Sequence, residues 1–130
     1  MIVVDTSALM AILLNEPAAD ACKTALARSS VLMMSAATLT EALIVADNKN
    51  IGTDMAELIE GLGLQIIPLM PTSARRAAAA YAVWGKGHHP AALNFGDCFA
   101  YALAIEQGCP LLFVGNDFLQ TDVKNAGIQV

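Results

Sequence analysis

The sequence predicts an α/β fold of three layers, in which a mainly parallel sheet lies between helices. Short apolar runs of strand character alternate along the chain with longer helical patterns, which is typical of parallel strands joined by crossover helices. The first of these runs, residues 2–4, is apolar throughout, as expected of a central strand buried on both faces. We therefore predict a single α/β/α domain that spans residues 1–130.

The composition limits the class of protein. The chain has 130 residues, of which 56% are hydrophobic, and a formal net charge of −5. Its apolar runs, such as residues 8–14, are too short to span a membrane. Because its first residues lack the basic start of a signal peptide, we expect a cytoplasmic protein without a membrane partner. The surplus of apolar residues favours association, so we also expect a homodimer or a complex with another protein.

The elements are predicted from capping and turn residues, taken in chain order. Asp5 ends the first strand, and a helix follows at 8–14. Pro17 is expected to open a second helix that runs to about residue 28. The remaining predictions are a strand at 31–34, helices at 36–48 and 53–62, a strand at 65–69, helices at 71–84 and 95–107, a strand at 111–114, a short helical segment after 115 and an edge strand at 128–130.

The helix at 95–107 is the most informative element. Asn94 is a good N-cap, Asp97 falls in the first turn, and no further charge appears before Glu106. A helix that is apolar on all sides is normally buried, so Asp97 should lie at the rim of the core. A carboxylate there could simply cap the helix, or it could meet other acids.

Three further acids are expected at the same rim. Asp5 ends the first strand and Asp117 follows the fourth, and ligands of parallel sheets collect at the carboxyl ends of the strands. Asp97 begins the helix that leads into the fourth strand, which places it at that edge too. Glu41 is the fourth acid, because its same-face helix neighbours are uncharged, namely Ala37, Thr38, Ile44 and Val45.

Together these acids predict a metal site. Taken singly, Asp5, Asp97 and Asp117 are as well explained by helix capping, and Glu41 by a surface position. Taken together, four carboxylates repel one another unless a cation neutralises them. Carboxylate ligands select hard cations such as Mg²⁺ or Mn²⁺. Because such an ion can generate a hydroxide-like nucleophile, we predict metal-assisted hydrolysis of phosphodiester bonds.

Basic side chains in the second half of the chain are candidates for phosphate contacts. Divalent ions at the acids would offset much of the net charge of −5, which otherwise argues against a nucleic-acid partner. An ordinary solvated surface explains the same residues about equally well. The candidates are Arg75, Arg76, Lys86, His88 and His89.

Three runs of the sequence resemble the PIN-domain nucleases, and more closely the VapC-type toxins of bacterial toxin–antitoxin pairs. They are VDTSAL at 4–9, HPAALNFGDC at 89–98, and GNDF at 115–118 followed by Thr121 and Asp122. The resemblance spans nearly the whole chain.

The resemblance implies a PIN-like domain with Mg²⁺-dependent endoribonuclease activity, for which Mn²⁺ could substitute. It also implies neutralisation by a cognate VapB-type antitoxin, in assemblies built from dimers. By position, Asp5 and Asp97 correspond to the principal metal-binding aspartates, and Glu41 and Asp117 to two further acids of the site. The residues expected to support the site are Thr6, Ser7 and Asn116.

Two positions depart from the family pattern, and other classes fit less well. His88 stands where relatives often carry arginine, and Val114 where a basic residue is common. A receiver domain needs an acidic pair after the first strand and a haloacid-dehalogenase-type phosphatase needs Asp-x-Asp there, but Asp5 precedes Thr6 and Ser7. No glycine-rich phosphate loop is present. The alternative that stays open is a PIN fold that binds RNA with weak or no catalysis.

Overall fold

The computed structural model describes residues 1–127 and places a four-stranded parallel sheet between two layers of helices. This confirms the predicted three-layer α/β/α class. In chain order the elements are β1 (Ile2–Val4), α1 (Thr6–Leu13), α2 (Ala19–Arg28), β2 (Leu32–Ser35), α3 (Ala36–Asn48), α4 (Gly52–Leu62), β3 (Gln65–Ile67), α5 (Pro71–Trp84), α6 (Phe95–Gln107) and β4 (Leu111–Leu112).

The strand order β3-β2-β1-β4 makes β1 an inner strand. β1 pairs in parallel with β2 on one side, where Ile2 faces Leu32, and with β4 on the other, where Val3 faces Leu111. Along the chain, β2 is added beside β1 and β3 beside β2, and the chain then returns to place β4 on the other side of β1. The carboxyl ends of β1 and β4 are therefore neighbours at the point where the strand order reverses, which is where such sheets bind ligands.

The residues of β1 alternate between two apolar clusters. Ile2 and Val4 pack into a cluster that contains residues of α1, α2, α3 and α4, whereas Val3 packs into one built from α5 and α6. All three β1 residues are buried, so the predicted burial on both faces is confirmed. No helix within residues 1–127 has the length and apolar character needed to cross a membrane.

Two strands end earlier than predicted. β3 stops at Ile67 because Pro68 has no amide hydrogen to donate to a neighbouring strand. β4 stops at Leu112, since the N–H of Val114 donates to the Ser7 hydroxyl oxygen at 3.0 Å instead of continuing a ladder. In both cases a residue just past the strand does not donate a backbone N–H to a neighbouring strand.

Other predicted boundaries also shift. Pro17 precedes α2 instead of opening it, because it lies in a turn closed by a bond from Ala19 N–H to Glu16 O at 2.9 Å. The predicted helical segment after Gly115 is wrong: residues 115–122 form bends and turns held by i to i+3 bonds. The edge strand predicted at 128–130 lies outside the described residues.

Candidate active site

Asp5 connects the end of β1 to the start of α1. It is the N-cap of α1, and its Oδ2 accepts hydrogen bonds from Ser7 N–H at 3.1 Å and Ser7 Oγ–H at 2.6 Å. The side chain is buried, and its other oxygen, Oδ1, has no hydrogen-bond partner among the described residues. A buried carboxylate oxygen without a donor is costly, so this atom is suited to a cation.

Thr6 and Ser7, predicted to support the site, connect Asp5 to two other segments. The Thr6 hydroxyl donates to Oε1 of Glu41 on α3 at 2.8 Å. The Ser7 oxygen accepts the N–H of Val114, just past β4, at 3.0 Å. Two small hydroxyl side chains thus hold α3 and the end of β4 against the start of α1.

Glu41 lies against the first turn of α6. It is half-buried, and a Cβ atom at Gly96 would overlap its carboxylate. Only glycine leaves room for Glu41 to approach the α6 backbone this closely. Glycine is unfavourable inside a helix, so its presence in the first turn of an apolar helix was a signal that the sequence analysis missed.

Asp97 takes part in a capping box at the start of α6. Asn94 Oδ1 accepts the N–H of Asp97 at 2.9 Å, and Asp97 Oδ2 accepts the N–H of Asn94 at 3.0 Å. Both predicted features, the Asn94 cap and the buried first-turn acid, are present, since Asp97 is buried. Its capping role and its place in the site do not exclude each other.

Asp117 lies in the exposed turns after β4, next to Asn116. The turn is anchored by Phe118, which is buried and packs its ring 5.0 Å from that of Phe113. The side chain of Asp117 is close enough to Asp97 to raise the pKa of that group.

The acids act on one another electrostatically. Burial raises the pKa of Asp97 to about 7, and the carboxylates of Asp5, Asp117 and Glu41 add to the rise. Burial also raises the pKa of Asp5 to about 6; hydrogen bonds from Ser7 oppose this and Glu41 adds to it. The structure therefore brings the four predicted acids into one region of negative potential.

The carboxylates do not yet converge on a single point. Within residues 1–127, no three acidic, histidine or cysteine side chains are arranged closely enough to hold a metal ion as they stand. Asp5, Glu41 and Asp97 each direct one oxygen to a hydroxyl or N–H donor. To hold one ion together, these carboxylates would have to turn from their present donors towards a common point, and the charge of the ion would offset their mutual repulsion. The all-carboxylate donor set and the orphaned Asp5 oxygen fit a hard divalent cation.

The candidate phosphate contacts fall into two groups. His88, His89 and Lys86 lie in a loop that a bridge between Gly85 and Leu93 closes just before α6. His89 accepts the N–H of the residue two positions on through Nδ1, at 3.0 Å, and this fixes its ring. The loop therefore enters directly into the first turn of α6.

Arg75 and Arg76 are on α5 and exposed. Arg76 forms an ion pair with Glu106 near the end of α6. Glu106 is nine positions beyond Asp97, which corresponds to roughly 13 Å along a helix. The structure thus does not bring Arg76 to the acids.

An apolar groove of about 550 Å³ borders the site at Glu41 and Gly96. Ile44 in its wall is 56% exposed and Phe95 at its edge is 77% exposed. The uncharged neighbours of Glu41 thus belong partly to an open surface and not only to the core. The groove is lined by Ala36, Ala37, Thr40, Glu41, Ile44, Val45, Leu69, Phe95, Gly96 and Phe99.

Comparison with known proteins agrees with this geometry. The PIN domain family matches residues 2–124. The chain belongs to the PIN-domain family. Within it, the chain is similar to Ribonuclease VapC28 of Mycobacterium tuberculosis, with 48% identity over 128 residues that cover 95% of this chain and 96% of the relative. Ribonuclease VapC42 of the same species is 41% identical over 95% of this chain and 98% of its own length.

Solved structures share the PIN fold. A crystal structure of Mycobacterium tuberculosis VapC20, a sarcin–ricin loop cleaving toxin, superposes with a TM-score of 0.74 at 18% identity, over 95% of this chain and 96% of that one. A toxin–antitoxin complex from Klebsiella pneumoniae gives a TM-score of 0.71 at 17% identity over the full length of both chains. The PIN domains of the VapC group are therefore the family of this chain, as the sequence motifs indicated.

Proposed function

We propose that this PIN domain is a divalent-metal-dependent endoribonuclease, the toxin of a toxin–antitoxin pair. The observation that carries the proposal is the buried Oδ1 atom of Asp5, which has no donor among the described residues and lies among other carboxylates. The ribonuclease names of relatives at up to 48% identity support the substrate class.

The proposed roles follow from the contacts of each acid. Asp5 and Asp97 would hold Mg²⁺, or Mn²⁺ in its place, and Glu41 and Asp117 would complete the site directly or through water. Thr6 keeps Glu41 in place and Ser7 keeps Asp5 in place. When bound, the ion would supply an activated water and stabilise charge on a phosphoryl oxygen. Asn116, beside Asp117, is proposed only as support.

RNA would approach over the loop that precedes α6. Lys86, His88 and His89 lie there and are proposed to contact phosphates flanking the cleaved bond. Arg76 is paired with Glu106 away from the acids, so we propose it and Arg75 only for more distant phosphates.

A cognate VapB-type antitoxin is the proposed occupant of the apolar groove. A solved relative of the same fold is a toxin–antitoxin complex. The groove is lined mainly by apolar residues and includes Glu41, so a segment with an apolar face and a basic side chain would complement it. Such a segment would block the acids. A homodimer also remains a proposal, supported by the exposed apolar residues.

The test is cleavage of a panel of structured and unstructured RNAs with Mg²⁺, with Mn²⁺ and with EDTA. Asp97→Asn should abolish cleavage, whereas Asp54→Asn, the same change at an exposed acid of α4, should leave it intact. Cleavage that persists in Asp97→Asn would contradict the assignment. A protein that binds RNA and Mg²⁺ but cuts no RNA would favour the non-catalytic binding module.

A further inference from the structure

The Tyr101 hydroxyl joins two segments around the site to α6. It accepts a hydrogen bond from the indole Nε1–H of Trp84 at 2.9 Å and donates one to Oδ1 of Asp122. Tyr101 lies four positions after Asp97, on the same face of α6, and both side chains are buried. Since Trp84 uses the hydroxyl as an acceptor, the hydroxyl proton is directed to Asp122.

Asp122 closes the run of turns that carries Asp117. Within the run the backbone bonds are of the i to i+3 type, and the next backbone bond to the sheet, from Leu111 N–H to Lys124 O at 2.8 Å, lies just beyond its end. Between these points the run is held by side-chain anchors. Phe118 provides an apolar anchor through its contact with Phe113. The bond from Tyr101 to Asp122 provides a polar anchor at the far end of the run.

Trp84 brings a second segment to the same hydroxyl. It ends α5, and its carbonyl accepts the N–H of Leu93 at 3.0 Å, which closes the loop with the proposed RNA contacts. Its ring lies 4.7 Å from the ring of His89 in an edge arrangement. One tyrosine oxygen therefore connects the Asp117 segment and the RNA-contact loop to the helix of Asp97.

We propose that Tyr101 and Asp122 are positioning residues that hold Asp117 and the RNA-contact loop in register with Asp97. The proposal rests on the nuclease function above. The loss of a single hydrogen bond leaves the fold intact. Activity and metal affinity should fall about tenfold, because residues behind catalytic ligands typically change them by about 10–100-fold.

Four variants test the proposal. Tyr101→Phe and Asp122→Ala should each lower kcat about tenfold. Asp122→Asn should stay near wild type, because its amide oxygen can accept the tyrosine proton. The double variant Tyr101→Phe/Asp122→Ala should be no worse than Tyr101→Phe, because Tyr101→Phe already removes the bond that Asp122→Ala removes. Glu57→Ala, at an exposed acid of α4, is the control and should keep the wild-type kcat.

Two readouts without RNA separate this proposal from the nuclease assignment. Trp84 is the single tryptophan, so its indole N–H resonance reports the hydrogen bond and should move in Tyr101→Phe. Mn²⁺ binding should weaken about tenfold in Tyr101→Phe and Asp122→Ala. If the wild type cuts no RNA, the nuclease assignment fails while the Mn²⁺ result still decides positioning. The positioning role would be overturned if the variants bound Mn²⁺ with wild-type affinity although the indole resonance had moved. It would also be overturned if the losses of kcat in the two single variants added up in the double variant.

Discussion

Asp97 combines a folding role and a chemical role in one carboxylate. Its Oδ2 accepts the N–H of Asn94, which an asparagine amide oxygen could also do. Its charge, by contrast, is held among Asp5, Glu41 and Asp117, and burial raises its pKa to about 7. The capping contact therefore tolerates asparagine, whereas the electrostatic contribution depends on the charge.

Asp97→Asn should stabilise the metal-free protein at alkaline pH. A folded-state pKa raised from 3.8 to about 7 means that this group stabilises the fold at low pH and loses that contribution as pH rises through 7. The asparagine that replaces Asp97 cannot ionise, so the variant does not lose stability in this way as the pH rises. Its free energy of unfolding in EDTA should therefore exceed that of the wild type by about 1–2 kcal/mol at about pH 8. Urea unfolding at about pH 5 and about pH 8 checks this. An advantage that does not grow with pH would contradict it.

Metal affinity should rise with pH across the range in which Asp5 and Asp97 ionise. The pKa values of Asp5 and Asp97 are about 6 and about 7, so a large fraction of both carboxyls is protonated at mildly acidic pH. Each carboxyl must lose its proton before it can bind a cation. Calorimetric Mn²⁺ titrations at about pH 5.5 and about pH 7.5 should show at least about tenfold tighter binding at the higher pH. Asp54→Asn should follow the same profile, and an affinity independent of pH would show that these two acids are not the ligands.

The sequence identified the acids but not the contacts that hold them. Asp5 and Asp97 were recognisable because each stands at a helix start beside an apolar segment. The bond between Thr6 and Glu41 joins residues in different elements, and no local pattern marks it. The same is true of the bond between Tyr101 and Asp122, since only the packing of the sheet and helices brings these residues together.

At the scale of elements, the contact between α3 and α6 depends on one glycine. Gly96→Ala should reduce cleavage by about tenfold or more, because its methyl group would displace the Glu41 carboxylate. Because the displaced atoms are the end of a flexible, half-buried side chain, the stability of the variant should change little. Single-turnover cleavage and thermal unfolding of the purified variant measure the two effects.

Gly61→Ala is the control for this change. Gly61 is an exposed residue of α4, and a Cβ atom there would meet nothing within 4 Å. The substitution should raise stability by about 0.5–1 kcal/mol and leave cleavage unchanged. If the two variants behaved alike, the steric explanation for Gly96 would be wrong.

Helix boundaries were more predictable than strand ends for a physical reason. Ser35 and Asn94 accept N–H groups two or three residues ahead, and Gly108 adopts a positive φ at the end of α6, so these signals are local. The end of β4, by contrast, is set by Ser7, which is distant in sequence and takes the N–H of Val114. The length of a strand depends on what lies beside it.

At the scale of the whole molecule, the apolar groove predicts which surface the antitoxin covers. Ile44→Gln should weaken antitoxin binding about tenfold by removing apolar contact area, without changing metal binding. Val83→Gln is the matched control, because Val83 on α5 is 57% exposed and Ile44 is 56% exposed. Calorimetry with the cognate antitoxin distinguishes them. An equal loss in both variants would place the antitoxin elsewhere or show a general surface effect.

The position of β4 in the sheet has a consequence for the timing of activity during protein synthesis. β1 lies between β2 and β4 in the sheet. It therefore has a neighbouring strand on both sides only after β4, which comes late in the sequence, has been synthesised. A chain that has left the ribosome only as far as α6 already carries Asp5, Glu41 and Asp97, but Ser7 lacks the amide of Val114 and Asp117 is absent. At about 5–20 residues per second of synthesis, several seconds separate the emergence of Asp5 from that of Asp117. The four acids can therefore come together only after most of the domain has been made.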